Sequence, residues 1–251
     1  MQARGKTQNS LPPTLLLMVY LIPAELYEGE VRPIPAYVLD AVKDCTVFFV
    51  ENERTARRYL KRLWKEMVID DYQWVGLKKG EESRALANFE KAIESGRNIG
   101  IISEAGCPGV ADPGQVLVAR AQALGCTVKP LVGPSSILLA LMASGLNGQS
   151  FAFNGYLPID QGERKKAIQR MEEDCWKRGS THIFIETPYR NDALLKSLLE
   201  ACRGETLLCI GANLTAPGLE MVKTLPIKKW KQAALPSLHK SPAIFLLGIP
   251  L

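Results

Sequence analysis

The chain has 251 residues, of which 47% are hydrophobic and 23% charged, and its formal net charge at pH 7 is +5. The 31 basic residues against 26 acidic ones are no polybasic footprint, so this charge permits an anionic partner without indicating one. The six cysteines are widely spaced, with no C-x-x-C pair and no nearby histidine, which argues against a zinc site and a disulfide scaffold. We therefore expect no metal site and a reducing, cytoplasmic location.

The N-terminal segment has some features of a secretory signal, because Arg4 and Lys6 precede the apolar run 15–22. The run is short, no A-x-A cleavage site follows it, and it cannot span a bilayer. We expect the run to form the first buried strand, with residues 1–13 as a disordered leader. No other stretch approaches membrane length.

Short apolar runs alternate with amphipathic patterns through the first half of the chain. The predicted strands are 14–22, 46–51, 74–77, 98–103 and 127–132. The predicted helices between them are 35–43, 54–65, 81–95 and 114–124. This alternation indicates a largely parallel sheet with helices on both faces, so we expect residues 14–132 to form an α/β domain.

The second half continues the alternation with shorter connections toward its end. The predicted helices are 135–144, 161–178, 191–202 and 227–233. The predicted strands are 150–156, 181–186 and 206–214, followed by strands that begin at Met221 and Ala243. The short connections favour a mixed sheet with antiparallel pairs, and we expect residues 133–251 to form a second α/β domain.

The segment SEAGCPGVADPG at 103–114 directly follows an apolar run, so a buried strand leads into a loop of small and turn-forming residues. Its glycines allow close approach of backbone amides and carbonyls to a ligand, and Glu104 and Asp112 flank it with carboxylates. An ordinary strand-to-helix turn has the same composition, so composition alone leaves both interpretations open.

Several segments resemble, in order and spacing, motifs of one branch of the tetrapyrrole methylase superfamily. SEAGCPGVADPG resembles the pattern SDAGTPxISDPG of that branch, whose members methylate a ribose 2′-hydroxyl of bacterial small-subunit ribosomal RNA. LVGPSS at 131–136, FNGYLP at 153–158 and IETPYR at 185–190 resemble PLPGPxA, YEGFLP and YESPHR. ANLTAPGLE at 212–220 lies where the branch has RELTKxxE, and SPAIFLLG at 241–248 resembles its closing strand.

The resemblance implies two α/β domains of the tetrapyrrole methylase type, with S-adenosylmethionine in the cleft between them and a homodimeric assembly. It places the methionine part of the cofactor against Ala105, Gly106, Cys107 and Pro108. The matching segments for the adenosine part contain Glu186, Thr187, Ala212, Asn213, Pro242 and Ala243.

Three more residues are candidates for cofactor binding from their positions in the sequence. Ser135 and Ser136 stand at a predicted helix start, where hydroxyls and free amides either cap the helix or bind a carboxylate. Pro23 ends the first predicted strand and is expected to face the cofactor.

Four charged residues are candidates for contacting an RNA acceptor. Glu51 and Glu104 stand at predicted strand ends and are candidates for orienting the ribose hydroxyl or removing its proton, and we favour orientation. Arg54 and Arg190 are candidates for binding phosphate, although a salt bridge in the first helical turn also explains Arg54 and a surface helix start also explains Arg190.

The chain also departs from the pattern of this branch. YLIPAELYEGE at 20–30 replaces TPIGNLxD, VENERTARR at 50–58 replaces AEDTRxxxxL, and ANLTAP lacks the Arg, Glu and Lys of RELTK. From the resemblance we expect a methyltransferase acting on an RNA ribose. Because of these departures we also keep two alternatives. One is methylation of a tetrapyrrole or another small molecule, and the other is a non-catalytic paralogue that binds the cofactor.

Overall fold

Five short strands form the first of two sheets in the computed structural model, which describes residues 17–78 and 80–250. The strands are β1 (Met18–Ile22), β2 (Val47–Val50), β3 (Gln73–Gly76), β4 (Ile99–Ile102) and β5 (Thr127–Pro130). All pairs are parallel, in the order β3-β2-β4-β1-β5. Strands β2 and β4 are buried throughout, as central strands covered on both faces must be.

Helices follow four of these strands or connect them, which confirms the predicted α/β alternation. They are α1 (Val38–Asp44), α2 (Glu53–Leu63), α3 (Glu82–Glu94) and α4 (Gln115–Ala123). Helix α2 begins at Asn52, whose side-chain oxygen accepts from the amides of Arg54 at 3.0 Å and Thr55 at 3.4 Å. This cap satisfies two of the amides that a helix start leaves without partners.

The second sheet is mixed, as predicted from its short connections. Its strands are β6 (Phe151–Tyr156), β7 (Thr181–Ile185), β8 (Leu207–Ala212), β9 (Met221–Pro226) and β10 (Ala243–Gly248). The order is β6-β7-β10-β8-β9, in which only β6 and β7 are parallel. The accompanying helices are α5 (Ser136–Ser144), α6 (Gln161–Arg178), α7 (Asn191–Ala201) and α8 (Ile227–Trp230).

Each sheet belongs to its own compact unit. One unit contains the described residues up to Pro23 together with Ala36–Val132, and the other contains Ala24–Pro35 and the chain from Gly133 onward. Residues 24–35, which we expected in the first domain, therefore group with the second. Leu26 explains this difference, because it packs against a hydrophobic cluster of α5 and the second sheet. The predicted leader 1–13 and the first residues of the predicted strand 14–22 lie outside the described residues.

One edge of each sheet collects most of the candidate site residues. Strands β2 and β4 are neighbours whose last residues, Val50 and Ile102, are in register, so the loops that follow them start side by side. In the second sheet the ends of β7 and β8 meet the start of β10, because β10 is antiparallel to both. Within residues 17–78 and 80–250, no helix is long and apolar enough to cross a membrane.

Gly100 in β4 tests the packing of the first sheet. A Cβ atom there would lie 2.6 Å from Phe48 Cδ1 and 2.9 Å from Ile22 Cδ1, so we expect Gly100→Ala to lower the free energy of unfolding by about 1–3 kcal/mol. Gly148→Ala is the control, because a Cβ there has no neighbour within 4 Å. Urea denaturation of both variants measures the difference. Equal stability of the two would contradict this packing of β4.

Candidate functional site

The two predicted acidic residues of the first unit lie together at the carboxyl ends of β2 and β4. The backbone amide of Glu104 donates to Glu51 Oε1 at 3.3 Å, and the Thr55 hydroxyl donates to Glu104 Oε1 at 2.7 Å. Glu51 is half-buried and Glu104 is exposed. The parallel register therefore brings together two carboxyl groups that are separated by more than fifty residues in the chain.

A third carboxyl group, that of Asp112, organises the loop after β4. Its Oδ1 accepts from the backbone amides of Gly109 at 3.0 Å and Gly114 at 2.7 Å. Gly114 must be a glycine for this contact, since a Cβ there would lie 2.6 Å from Asp112 Oδ1. In the sequence Asp112 was only a flanking carboxylate, and the motif gave no sign that it holds the loop from inside.

Glu51 also lies close to Asp112, and a hydrogen bond between these two carboxyl groups requires a proton on one of them. Asp112 Oδ2 is buried and has no partner among the described residues, so a protonated Glu51 is a suitable donor for it. Burial, this hydrogen bond and repulsion by the carboxylates of Asp112 and Glu104 raise the pKa of Glu51 to about 7, against a lowering by the Glu104 amide. Glu51 therefore changes its charge near neutral pH.

The predicted methionine-binding residues form the first part of the same loop. Ala105 is exposed, Pro108 is buried, and Cys107 is half-buried, with the pKa of its thiol raised by burial. Gly106 has a φ of 72°, in the left-handed region that favours glycine. The neighbouring Pro23 carbonyl accepts from the Tyr59 hydroxyl at 2.5 Å, so this residue is anchored to α2.

Arg54 is exposed on the first turn of α2, and its guanidinium pairs with no acid among the described residues. The first-turn salt bridge that offered an alternative explanation is formed instead by Arg57 and Glu53, at 2.9 Å. Arg54 therefore keeps its charge available next to Glu51 and Thr55.

The second unit has a mostly apolar pocket at the edge where β8 ends and β10 begins. Its lining residues are Leu26, Ser136, Gly211, Leu214, Pro242, Ala243 and Ile244. Three of them, Ser136, Pro242 and Ala243, were predicted to contact the cofactor. The other four lining residues were not predicted from the sequence. Gly211 had a recognisable signal, as an isolated glycine in an apolar strand, whereas Leu26 had none.

The amino end of α5 meets this pocket. A Cβ at Gly211 would lie 3.0 Å from Ile244 Cγ2 and 3.4 Å from Ala140 Cβ, so glycine lets α5 pack closely on β8. Ser135 occupies the N-cap position of α5 but its side chain makes no capping hydrogen bond. The first amides of α5 are thus left for another acceptor, and a helix start of this kind favours an anionic or electron-rich group.

Glu186, directly after β7, has an orphaned oxygen. Its Oε1 accepts from the Thr187 amide and from Arg190 Nη2, both at 2.6 Å. Its Oε2 is buried and has no partner among the residues that the structure describes. The side chain is only 1% exposed, so bulk water does not replace the missing donor. Arg190, which we predicted to bind phosphate, is paired with Glu186, and its side chain stays 35% exposed.

The segment after β8 has an unusual backbone. Asn213 and Thr215 have φ values of 50° and 71°, the second being costly for a β-branched residue. The Asn213 amide donates to the Pro242 carbonyl at 2.9 Å, and the Thr215 amide donates to Glu220 Oε2 at 2.7 Å. The first bond ties the end of β8 to the start of β10, and the second closes the turn between β8 and β9; Ala212, the last residue of β8, is buried.

Within residues 17–78 and 80–250, no group of three or more His, Cys, Asp or Glu side chains is arranged to hold a metal ion. None of the six cysteines, all within the described residues, forms a disulfide bond.

These features define an α/β protein with a pocket and a carboxyl cluster at its sheet edges, and comparison with known proteins gives its family. Residues 29–229 match the family of Tetrapyrrole (Corrin/Porphyrin) Methylases. The chain belongs to this family, which confirms the fold expected from the sequence. It is a methyltransferase, and its methyl donor is S-adenosylmethionine.

Two relatives and one solved structure illustrate the likeness. The chain is 29% identical over 224 residues to "Ribosomal RNA small subunit methyltransferase I" of Vibrio cholerae, covering 88% of this chain and 73% of the relative. It is 39% identical over 203 residues to the protein of the same name from Mesorhizobium japonicum, covering 81% of this chain and 65% of the relative. The crystal structure of the methyltransferase CobJ superposes with a TM-score of 0.61 at 18% identity, covering 93% of each chain, and supports the fold alone.

The raised pKa of Glu51 predicts a pH-dependent stability difference between the parent and Glu51→Gln. As pH rises from about 4.5 to about 7, the unfolded chain loses this proton before the folded one does, so the parent loses stability in that window. Glutamine keeps a donor for Asp112 and has no charge. After a discount for partial exposure, we expect the variant to gain about 1 kcal/mol over the parent by pH 8 and almost nothing at pH 4.5.

Urea denaturation at pH 4.5, 6 and 8 measures this difference, because other titrating groups cancel between parent and variant. A variant that is less stable than the parent at pH 8 would show that Glu51 is not held as a protonated partner of Asp112.

Proposed function

We propose that the protein transfers the methyl group of S-adenosylmethionine to a ribose 2′-hydroxyl of small-subunit ribosomal RNA. The observation that carries this proposal is the likeness to relatives named "Ribosomal RNA small subunit methyltransferase I", which reaches 39% identity over 81% of this chain. The cluster of Glu51, Glu104 and the unpaired Arg54 supports it, because a ribose in RNA offers a hydroxyl group and an adjacent phosphate.

The residues of the second unit fit the adenosine part of the cofactor. The apolar pocket with Pro242 and Ala243 suits a flat, weakly polar ring. The orphaned Glu186 Oε2 needs a donor, which an amino or hydroxyl group of adenosine provides. We assign Thr187, Ala212 and Asn213 to the same contact through their backbone groups.

The polar end of the cofactor has suitable partners at two helix or loop starts. We assign the loop Ala105, Gly106, Cys107 and Pro108, with Pro23, to the methionine part, because Gly106 leaves backbone groups accessible. Ser135 and Ser136 at the uncapped start of α5 suit a carboxylate or a ring nitrogen. When bound, S-adenosylmethionine supplies a methyl group activated by a positively charged sulfur.

The carboxyl groups of the first unit act on the acceptor in this proposal. Thr55 holds Glu104 in one orientation, which suits a hydrogen bond from the acceptor hydroxyl. Glu51, with a pKa of about 7, is ionised in about half of the molecules at neutral pH and can also accept the hydroxyl proton. Asp112 fixes the loop that follows Glu104, through its bonds to the amides of Gly109 and Gly114.

A methyl-transfer assay tests the proposal directly. Purified protein is incubated with labelled S-adenosylmethionine and either small ribosomal subunits, deproteinised RNA or tetrapyrrole intermediates. We expect label only in RNA, at a 2′-O-methylated nucleotide. Label in a tetrapyrrole would replace the proposal with the small-molecule alternative, and cofactor binding without transfer would favour a non-catalytic paralogue.

The same assay separates orientation from base catalysis. Glu51→Gln and Glu104→Gln keep size and hydrogen bonding but remove the charge. If Glu51 is a base, its variant loses about 100-fold or more in kcat and the rise of rate through pH 7, with cofactor affinity unchanged. Near-parental kcat in both variants would leave orientation as the role of these carboxyl groups.

Arg54 is assigned to a phosphate of the RNA. We expect Arg54→Ala to weaken RNA binding and to flatten its salt dependence by about 0.7 in log Kd per log salt, without changing cofactor affinity. In contrast to Arg54→Ala, we expect Arg190→Ala to weaken cofactor binding, because Arg190 neutralises and holds Glu186. Fluorescence anisotropy with labelled RNA at several salt concentrations, and calorimetry with the cofactor, measure both effects. An unchanged salt slope in Arg54→Ala would remove Arg54 from the RNA contact.

We also propose a cytoplasmic homodimer. Helix α5 supports this assembly, because Leu138 and Met142 lie one turn apart and are 52% and 79% exposed. Apolar side chains exposed together on one helix face are typical of a subunit interface. Sedimentation or light scattering of the purified protein gives the assembly state.

A further inference from the structure

A groove in the second unit lies outside the proposed cofactor contacts. It runs between the edge strand β6 and helix α6 and has a volume of about 370 Å³, within the range of small-molecule sites. Its lining residues are Asn154, Tyr156, Leu157, Pro158, Ala167, Arg170, Met171 and His182. Leu157 and Met171 form a buried apolar floor, whereas Tyr156 and Arg170 are exposed at its sides.

Tyr156 is aimed by an irregularity of its strand. The pairing of β6 with β7 shifts register between Phe153 and Tyr156, and Gly155 has a φ of 64°. Such bulges redirect the side chain that follows them. Tyr156 consequently keeps 58% of its surface exposed, at the side of the groove beside the apolar floor of Leu157 and Met171. An exposed aromatic ring beside an apolar floor is a stacking surface for a flat ring.

Asn154 is held with its acceptor atom free. Its Nδ2 lies 3.1 Å from the Ala152 carbonyl, 3.3 Å from the Ile183 carbonyl and 3.1 Å from His182 Nδ1. Both carbonyls are acceptors, so the amide nitrogen must face them and Oδ1 points away, without a donor among the described residues. His182 is fixed in turn, because its Nε2 pairs with Asp174 Oδ2 at 2.9 Å.

Arg170 provides the charge of the groove. Its guanidinium has no ion-pair partner in the part of the chain that the structure describes, in contrast to Lys166, which pairs with Glu163 at 2.9 Å. The stretch 161–170 of α6 has four basic residues and one acidic residue. A planar guanidinium with free donors beside an aromatic ring suits a phosphate next to a base.

We propose that this groove binds one nucleotide of the RNA substrate, with its base stacked on Tyr156 and hydrogen-bonded to Asn154 Oδ1, and with a phosphate on Arg170. Recognition of unpaired bases by an aromatic ring and a polar side chain is the usual way in which proteins read single-stranded RNA. The inference rests on the proposed function, since it takes RNA as the substrate.

The position of the groove makes this nucleotide a neighbour of the methylated one. Tyr156 is in register with Ile185, one residue before Glu186, so the groove opens at the sheet edge that also holds the cofactor pocket. Strand β6 is three strands from β8 in the sheet, which places Tyr156 about 14 Å from Gly211. The groove therefore selects the sequence or conformation next to the target and does not contact the reacting hydroxyl.

Binding of a fluorescein-labelled single-stranded RNA 12-mer of mixed sequence tests the proposal. We expect Tyr156→Leu to weaken RNA binding about tenfold, whereas Tyr156→Phe, which keeps the aromatic ring, binds RNA as tightly as the parent. We expect Arg170→Ala to weaken RNA binding about threefold and to flatten its salt dependence. Lys165→Ala is the matched control, because it removes the same charge from the same helix outside the groove. All three positions have exposed side chains, and thermal unfolding verifies that each of the four variants is folded.

Methyl transfer to small ribosomal subunits separates this inference from the function on which it rests. We expect Tyr156→Leu and Arg170→Ala to raise KM for the subunit while KM for S-adenosylmethionine stays at the parental value. If the parent transfers methyl groups but both variants behave like Lys165→Ala, only the groove assignment is overturned. If the parent transfers none to RNA, both fall. Displacement of the 12-mer by a poly-glutamate peptide from the parent but not from Arg170→Ala would also overturn it, in favour of an acidic protein partner.

Discussion

The hydrogen bonds that Asp112 accepts inside the loop after β4 are the interaction on which the first unit's site depends. They are made to the amides of Gly109 and Gly114, and they close the loop around a buried carboxyl group. A buried carboxylate is tolerated only when its oxygens have donors, and Glu51, whose pKa is raised to about 7, lies close enough to supply one to Asp112 when it is protonated. The loop conformation and the protonation of Glu51 are thus linked. A group that takes the proton from Glu51 therefore also removes a donor from the carboxyl group that closes this loop.

The order of the strands in the second sheet has an equivalent role. Strand β10 is last in the chain but lies between β7 and β8, so its first residues meet the ends of both. This insertion brings Glu186, Gly211 and Pro242 to one edge from three distant parts of the chain. It also leaves β6 at the border of the sheet with one free side, which is why the groove beside α6 stays open.

Local patterns in the sequence predicted most of the fold because the elements are short, regular and well separated by turn residues. Helix 161–178 and the start of strands at Met221 and Ala243 agree with the structure to the residue. The assignment of residues 24–35 failed, because a loop with little periodicity gives no local sign of which core its side chains join. Leu26 shows this directly, since only tertiary contact with α5 and the second sheet places it.

Residues of the apolar pocket could be predicted from the sequence where they belong to a recognisable motif. Those that reach the pocket only through the packing of the strands could not. Ser136, Pro242 and Ala243, which line the apolar pocket, were predictable because they lie in recognisable segments at element ends. Gly211, Leu214 and Ile244 line the pocket only through the register of β8 and β10, which no local pattern encodes. The pairing of Arg190 with Glu186 was equally invisible, since it depends on how the turn after β7 folds back.

Two of the three charges that the ANLTAP segment lacks fall at positions that are buried in this protein. Ala212 and Ala216, which replace Arg and Lys of the related pattern, are only 3% and 1% exposed. Charged side chains at such positions would need buried partners, so these substitutions change the interior of the turn after β8 and not an RNA-facing surface. The turn keeps its shape through Asn213 and Thr215, whose positive φ values and bonds to Pro242 and Glu220 do not depend on the missing charges. The absence of these charges is therefore no argument against RNA as the acceptor, and the exposed Arg54 and Arg170 are the groups whose charge bears on that question.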